Sequence, residues 1–170
     1  MKTALSTLLG LMLISTAAQA DSGVRYPANL CVAYTGTPSY ANGNIINNAN
    51  VPLGLECAIP TWWKTPDATQ IVGLKWVRAR VVDNNRNGVN IKCELFTADS
   101  SETVPNVLET ASFQTRFSTG ASGLPQDLVF SNAPTNESSF SILRCVLPPK
   151  VGASGSALIS YTSETDVILD

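Results

Sequence analysis

Apolar and polar positions alternate with period two through most of the chain beyond residue 25, as expected of half-buried strands whose successive side chains point to opposite faces. The clearest run covers residues 73–96. There Trp76-Val77-Arg78-Ala79-Arg80-Val81 and Val89-Asn90-Ile91-Lys92-Cys93-Glu94-Leu95-Phe96 flank the polar connector Asp83-Asn84-Asn85-Arg86-Asn87-Gly88. Two alternating arms joined through an Asn-Gly step predict a β-hairpin. Upstream, residues 26–34 predict one strand buried on both faces. Residues 36–50, dense in Asn and Gly, predict a loop with at most a short strand at Ile45-Ile46. Leu53, Leu55, Cys57 and Ile59 then alternate with small or charged residues, which predicts a half-buried strand with Cys57 facing inward.

Residues 60–70, carrying Trp62, Trp63 and Pro66, interrupt the alternation. It resumes as a long strand over 107–117, a short one over 126–130 and an apolar run over 140–147 that fits a central strand covered on both faces. Residues 157–162 and 167–169 supply one or two closing strands. No window beyond the N-terminal segment keeps apolar residues at helical spacing for three turns. The expected fold is all-β, a single antiparallel β-sandwich, with a small β-barrel as second choice.

Residues 1–20 interrupt this pattern for a different reason. Lys2, the apolar stretch 5–14 and Ala18-Gln19-Ala20 have the layout of a signal peptide, so residues 21–170 form the expected single domain, secreted or periplasmic. No later stretch is long and apolar enough for a membrane helix, and membrane insertion is not expected. Eleven basic and 13 acidic residues give a net charge of −2, or −3 once Lys2 is removed, with neither sign in a block. Nucleic acid is therefore not an expected partner. The four cysteines, Cys31, Cys57, Cys93 and Cys145, read in an exported chain as two disulfides. Strand order favours Cys31 with Cys57 and Cys93 with Cys145, each worth roughly 3–4 kcal/mol by chain entropy. Zinc is the rival, but there is no histidine and no C-x-x-C pair.

Three features carry candidate chemistry. Asp83-x-Asn85-x-Asn87-Gly88 with Glu94 matches the written EF-hand pattern, yet residues 89–96 alternate as a strand, which carries Glu94 roughly 20 Å from Gly88 instead of coiling it around an ion. No metal and no cofactor are expected. Trp76, Arg78 and Arg80 fall on one strand face and offer stacking area and donors to a sugar ring or a partner. The alternative is a solvated face in which Arg78 pairs with Glu94 and Trp76 covers Phe96. Trp62-Trp63-Lys64 is the third, where one indole faces the core and the other is free to bind, or both plug the sandwich.

Catalysis has little support: without histidine the Ser-His and Cys-His pairings are impossible, and carboxylates such as Glu56, Glu94 and Glu109 read as solvated strand positions. The segments Tyr26-Pro27-Ala28-Asn29-Leu30-Cys31, Cys57-Ala58-Ile59-Pro60, Asn90-Ile91-Lys92-Cys93-Glu94-Leu95 and Arg144-Cys145-Val146-Leu147-Pro148 together resemble small exported bacterial two-disulfide β proteins of uncharacterised function. That resemblance implies a β fold and two disulfides and carries over no catalytic residue. The expected function is non-enzymatic recognition of a glycan or surface protein through Trp62, Trp63, Trp76, Arg78 and Arg80. A structural subunit of an extracellular matrix or filament is the alternative, and a hydrolase ranks last.

Overall fold

A computed structural model describes residues 23–59, 62–64, 71–120 except 101–107, 123–131 and 139–168; residues 1–20, expected to be a signal peptide, lie outside them. Two antiparallel sheets pack face to face. The larger contains β1 (Val24–Pro27), β3 (Ser39–Ala41), β4 (Asn44–Ile46), β6 (Trp62–Lys64), β7 (Ile71–Val82), β10 (Pro125–Ser131) and β12 (Ala157–Ile168). The smaller runs in the order β2 (Val32–Thr35), β5 (Leu53–Ile59), β11 (Ser139–Leu147), β8 (Lys92–Ser100), β9 (Leu108–Phe117). The sandwich expectation holds over the barrel.

The strands form where alternation predicts them because each supplies one apolar face to a shared core. Val77, Ala79 and Val81 of β7 and Leu128 and Phe130 of β10 point inward from one sheet; Leu53 and Leu55 of β5 and Leu143 and Leu147 of β11 point inward from the other. Each large side chain removed from water in this way stabilises the fold by about 1.5–3 kcal/mol.

The expected hairpin is not formed. β7 lies in the larger sheet and β8 in the smaller, so the connector is an arch that carries the chain from one sheet to the other. The physical reason is Asp83. Its parity continues Val77, Ala79 and Val81 inward, and its fully buried carboxylate accepts hydrogen bonds from the Asn85 N–H (2.9 Å), the Ile91 N–H (3.2 Å), the Ser118 hydroxyl (2.5 Å) and the Ser156 hydroxyl (3.3 Å). One side chain thereby ties together the end of β7, the approach to β8, the end of β9 and the start of β12. Its lone pairs point at protein donors rather than at a cation site, and among the described residues no cluster of three or more potential ligands gathers.

Residues 26–34 do not form one strand. Pro27 ends β1, a short 3-10 turn at Ala28–Leu30 follows, and β2 then joins the other sheet. Leu30, Val32 and Tyr34 are exposed, because β2 is an edge strand with an outer face open to solvent. The Asn-rich stretch forms a hairpin, β3 to β4, turned by Asn42 (φ 52°) and Gly43 (φ 79°), the pair of positive φ angles that a two-residue turn of this kind requires. Residues 62–64, expected to break the pattern, pair with β7 as β6. β11 is central as expected, but its outer residues Phe140, Ile142, Arg144 and Val146 are only half-buried, since among the described residues no further layer covers that side.

Both disulfides pair as expected, Cys31 with Cys57 and Cys93 with Cys145. Both join positions on the smaller sheet, Cys31 standing just before β2, and neither bridges the two sheets. Cys93 and Cys145 are direct cross-strand partners with Cα atoms 4.1 Å apart, the close spacing of a non-hydrogen-bonded antiparallel pair.

The sides of the sandwich are treated differently. On β9, Gln114 and Arg116 share the inward parity of their partners Leu95 and Cys93. Instead of entering the core they reach across to β10: Gln114 Nε2 donates to the Ser131 carbonyl (2.7 Å) and Arg116 Nε to the Val129 carbonyl (3.0 Å). Two edge strands are thus laced to each other, which blunts edges otherwise open to strand addition.

Candidate functional site

The outer face of the larger sheet is built on β12 and its neighbours β1, β7 and β10. Cross-strand register places Arg25, Thr162, Arg78 and Val129 in one row and Pro27, Ser160, Arg80 and Asp127 in the next; Glu164, Trp76 and Ser131 make a third. Residues directly opposite share a face. Ser160 and Thr162 face outward yet are only 6% and 7% exposed, because the longer side chains of the rows on either side overshadow them. Small polar side chains along the central strand make a trough with tall walls.

Trp76, Arg78 and Arg80 do share this face, as expected. The Arg78 guanidinium lies 4.8 Å from the centroid of the Trp76 ring, a cation–π contact that holds the cation beside the indole. Arg80 approaches Asp127 at 3.9 Å, and Lys75 pairs with Glu164 at 3.1 Å. Gly23 runs so close to Trp76 and Thr162 that a side-chain carbon there would stand 2.7 Å from the Thr162 methyl and 3.1 Å from the indole. The indole is therefore half-covered by backbone and half open. Trp62 and Trp63 pair with Gly73 and Val72, which brings their backbone to the same sheet as Trp76; their side chains lie outside the described residues.

Beside the trough is a cleft of about 320 Å³ lined by Arg25, Pro27, Asn42, Gly43, Asn44, Ile159 and Ser160. It forms where β12 exchanges one edge partner for another: β4 pairs with Ala157 and Leu158, β1 with Ser160 to Ser163, and the register shifts at Ile159 between them. Irregularities of this kind open space beside functional faces. Sequence reasoning missed Arg25, Ser160, Thr162 and this cleft. The alternation Ser160, Thr162, Glu164 along β12 was a visible signal, but the meeting of two strands on one edge left none.

The expected pairing of Arg78 with Glu94 and cover of Phe96 by Trp76 do not occur, because Glu94 and Phe96 stand on the outer face of the opposite sheet. There Glu94 pairs with Lys92. Arg144 lies 5.1 Å from the Tyr34 ring and 5.0 Å from the Phe96 ring and donates to Glu56 through Nε (3.0 Å) and Nη2. The Tyr34 ring lies directly over Gly54, leaving no room for a side chain there. On that face Glu56 and Glu94 are each committed to a cation.

Two phenols titrate late. Burial raises the Tyr34 hydroxyl above its ordinary 10.0, outweighing the pull of Arg144 in the other direction. Burial, and then its neighbour Tyr26, raise Tyr161, which stacks on that ring at 5.0 Å. A raised acid favours the protonated folded state, so this contribution is intact below the unfolded value near pH 10 and is lost as pH rises through the folded values. Alkaline titration followed by phenolate absorbance is expected to show these two tyrosines lagging, with stability falling over the same range; coincident titration of all the tyrosines at the ordinary value would contradict it.

No protein-family model matches the chain, and no curated protein matches it. Among solved structures, a low-affinity xylan-binding module (CBM86) from the gut symbiont Roseburia intestinalis is similar with a TM-score of 0.45 and 14% identity, over 85% of this chain and 96% of that one. A second, TmCBM61 solved in complex with β-1,4-galactotriose, has a TM-score of 0.44 and 9% identity over 86% and 90%.

Proposed function

We propose that the protein is an exported, non-enzymatic β-sandwich that binds carbohydrate across the outer face of the larger sheet. The observation that carries this is the Trp76–Arg78 stack standing beside the Ser160–Thr162 trough. A sugar ring needs an apolar surface for its C–H face and fixed planar donors for its hydroxyls, and this face offers both within adjacent strands. The lack of any histidine and the commitment of Glu56 and Glu94 to cations on the opposite face support binding without turnover.

Affinity electrophoresis through gels containing soluble polysaccharides, followed by calorimetric titration with the oligosaccharide of any that retards the protein, tests the proposal. Burying the open half of one indole contributes about 1–2 kcal/mol, so Trp76→Ala is expected to weaken binding by roughly 5- to 30-fold while keeping the unfolding midpoint, and EDTA is expected to change nothing. Equal binding by Trp76→Ala, or no retardation by any polysaccharide, would sink the proposal. In the second case, concentration-dependent fibres would favour a structural subunit.

A further inference from the structure

We propose that the cleft at Ile159 is an acid-selecting subsite that takes the carboxylate of a uronic-acid residue in the bound glycan. This rests on the carbohydrate-binding reading and names what the site prefers.

Four arginines are already engaged within the fold. Arg78 is stacked on Trp76, Arg80 approaches Asp127, Arg116 donates to the Val129 carbonyl and Arg144 is held by Glu56. Arg25 differs: it is exposed, it lines the 320 Å³ cleft, and among the described residues no carboxylate pairs with it. The amides of Asn42 and Asn44 line the same cleft, and no hydrogen bond within the described residues engages either. The Ser160 hydroxyl group belongs to its wall. Residues carrying a guanidinium, two amides and a hydroxyl thus line one cleft, and among the described residues no carboxylate meets them.

The backbone that carries these donors is fixed. Arg25 is fixed in the ladder opposite Thr162, and Asn42 is held at φ 52° in the tight turn between β3 and β4. An arginine fork matches a planar carboxylate through two parallel N–H···O bonds, and amide donors beside it bind the neighbouring hydroxyls. The volume is near the lower end of small-molecule sites, suited to one sugar ring. One cation in the cleft, in a chain of net charge −2, selects one acid group, not a dense polyanion. Because Arg25 shares its row with Thr162 and Arg78, a glycan lying along the trough passes from Trp76 to the cleft without leaving the face.

The test uses the full mature chain and matched oligosaccharides that differ only in carrying uronic acids or their carboxyl-reduced counterparts. The wild type is expected to bind the acidic form about 5- to 10-fold more tightly, with the preference shrinking as salt is raised. Arg25→Gln should abolish the preference, bringing affinity for the acidic form down to that for the reduced form while the unfolding midpoint is kept; Arg25→Lys should restore part of it. Arg86→Gln is the control, since Arg86 lines a separate cleft of about 250 Å³ with Asn84 and residues 151–154, and it should keep the full preference. Equal binding of both forms by the wild type, or a preference that survives Arg25→Gln or vanishes with Arg86→Gln, would overturn the subsite while leaving carbohydrate binding standing. Binding of neither form would remove the carbohydrate reading, and the subsite with it.

Discussion

Asp83→Ala is expected to lower the unfolding free energy of the oxidised protein by about 3–5 kcal/mol, measured by urea denaturation. The carboxylate is fully buried and serves four donors from separate parts of the chain. Each buried donor left without an acceptor costs about 1–3 kcal/mol. The effect stays below the sum of four because the Ile91 N–H also reaches the Ser118 hydroxyl oxygen at 2.8 Å, and freed hydroxyls rotate. Against a typical total of about 5–15 kcal/mol, the loss is large. Asp83→Asn separates shape from charge: it keeps the volume but turns an NH2 group toward donors, so it should also be strongly destabilising. If Asn proves as stable as Asp, or Ala costs less than about 1 kcal/mol, the carboxylate does not organise the arch in the way its contacts imply.

The second large effect concerns Cys93 and Cys145. Replacing both by Ala opens a 52-residue loop, worth about 4 kcal/mol by chain entropy, against roughly 3.5 kcal/mol for the 26-residue loop of Cys31 and Cys57. Both cysteines of the longer loop are 0% exposed, so their loss also leaves a cavity in the core. Comparing urea midpoints of the two double variants is expected to rank Cys93/Cys145 as the costlier removal. Because that bond lies in the smaller sheet, glycan binding should persist wherever the variant remains folded. A negligible loss, or binding that vanishes in a folded variant, would contradict this assignment of roles.

Strand positions were legible because alternation reports burial on one face, and both cysteine pairings followed from which runs face inward. Partner choice was not legible, since a strand alternates in the same way whether its sequence neighbour lies beside it in one sheet or across the core. Residues 77–81 and 91–95 illustrate this: their apolar faces meet through the core instead of lying side by side. The one available clue was Asp83, an acid placed on the inward parity, which a solvent-exposed hairpin turn has no reason to bury. On the proposed binding face, the grouping of Trp76, Arg78 and Arg80 was legible because they belong to one strand. Arg25, Ser160 and Thr162 come from strands far apart in sequence, and no local pattern joins them to Trp76. The connection depends on register.

The placement of the disulfides has a mechanical consequence. Chain between Cys31 and Cys57 and between Cys93 and Cys145 cannot lengthen under tension while the bonds last. Of the long strands, β7 and β12 lie outside both closed loops, and they are antiparallel partners from Ala157 opposite Val82 to Ile168 opposite Ile71. Tension along the chain enters this pair at Ile71 and Ile168, which stand opposite each other, so it opens the ladder from that end one bond after another. The two long strands left free to separate are those whose outer side chains form the proposed trough, so tension along the chain acts on the trough while the disulfide-closed segments keep their length.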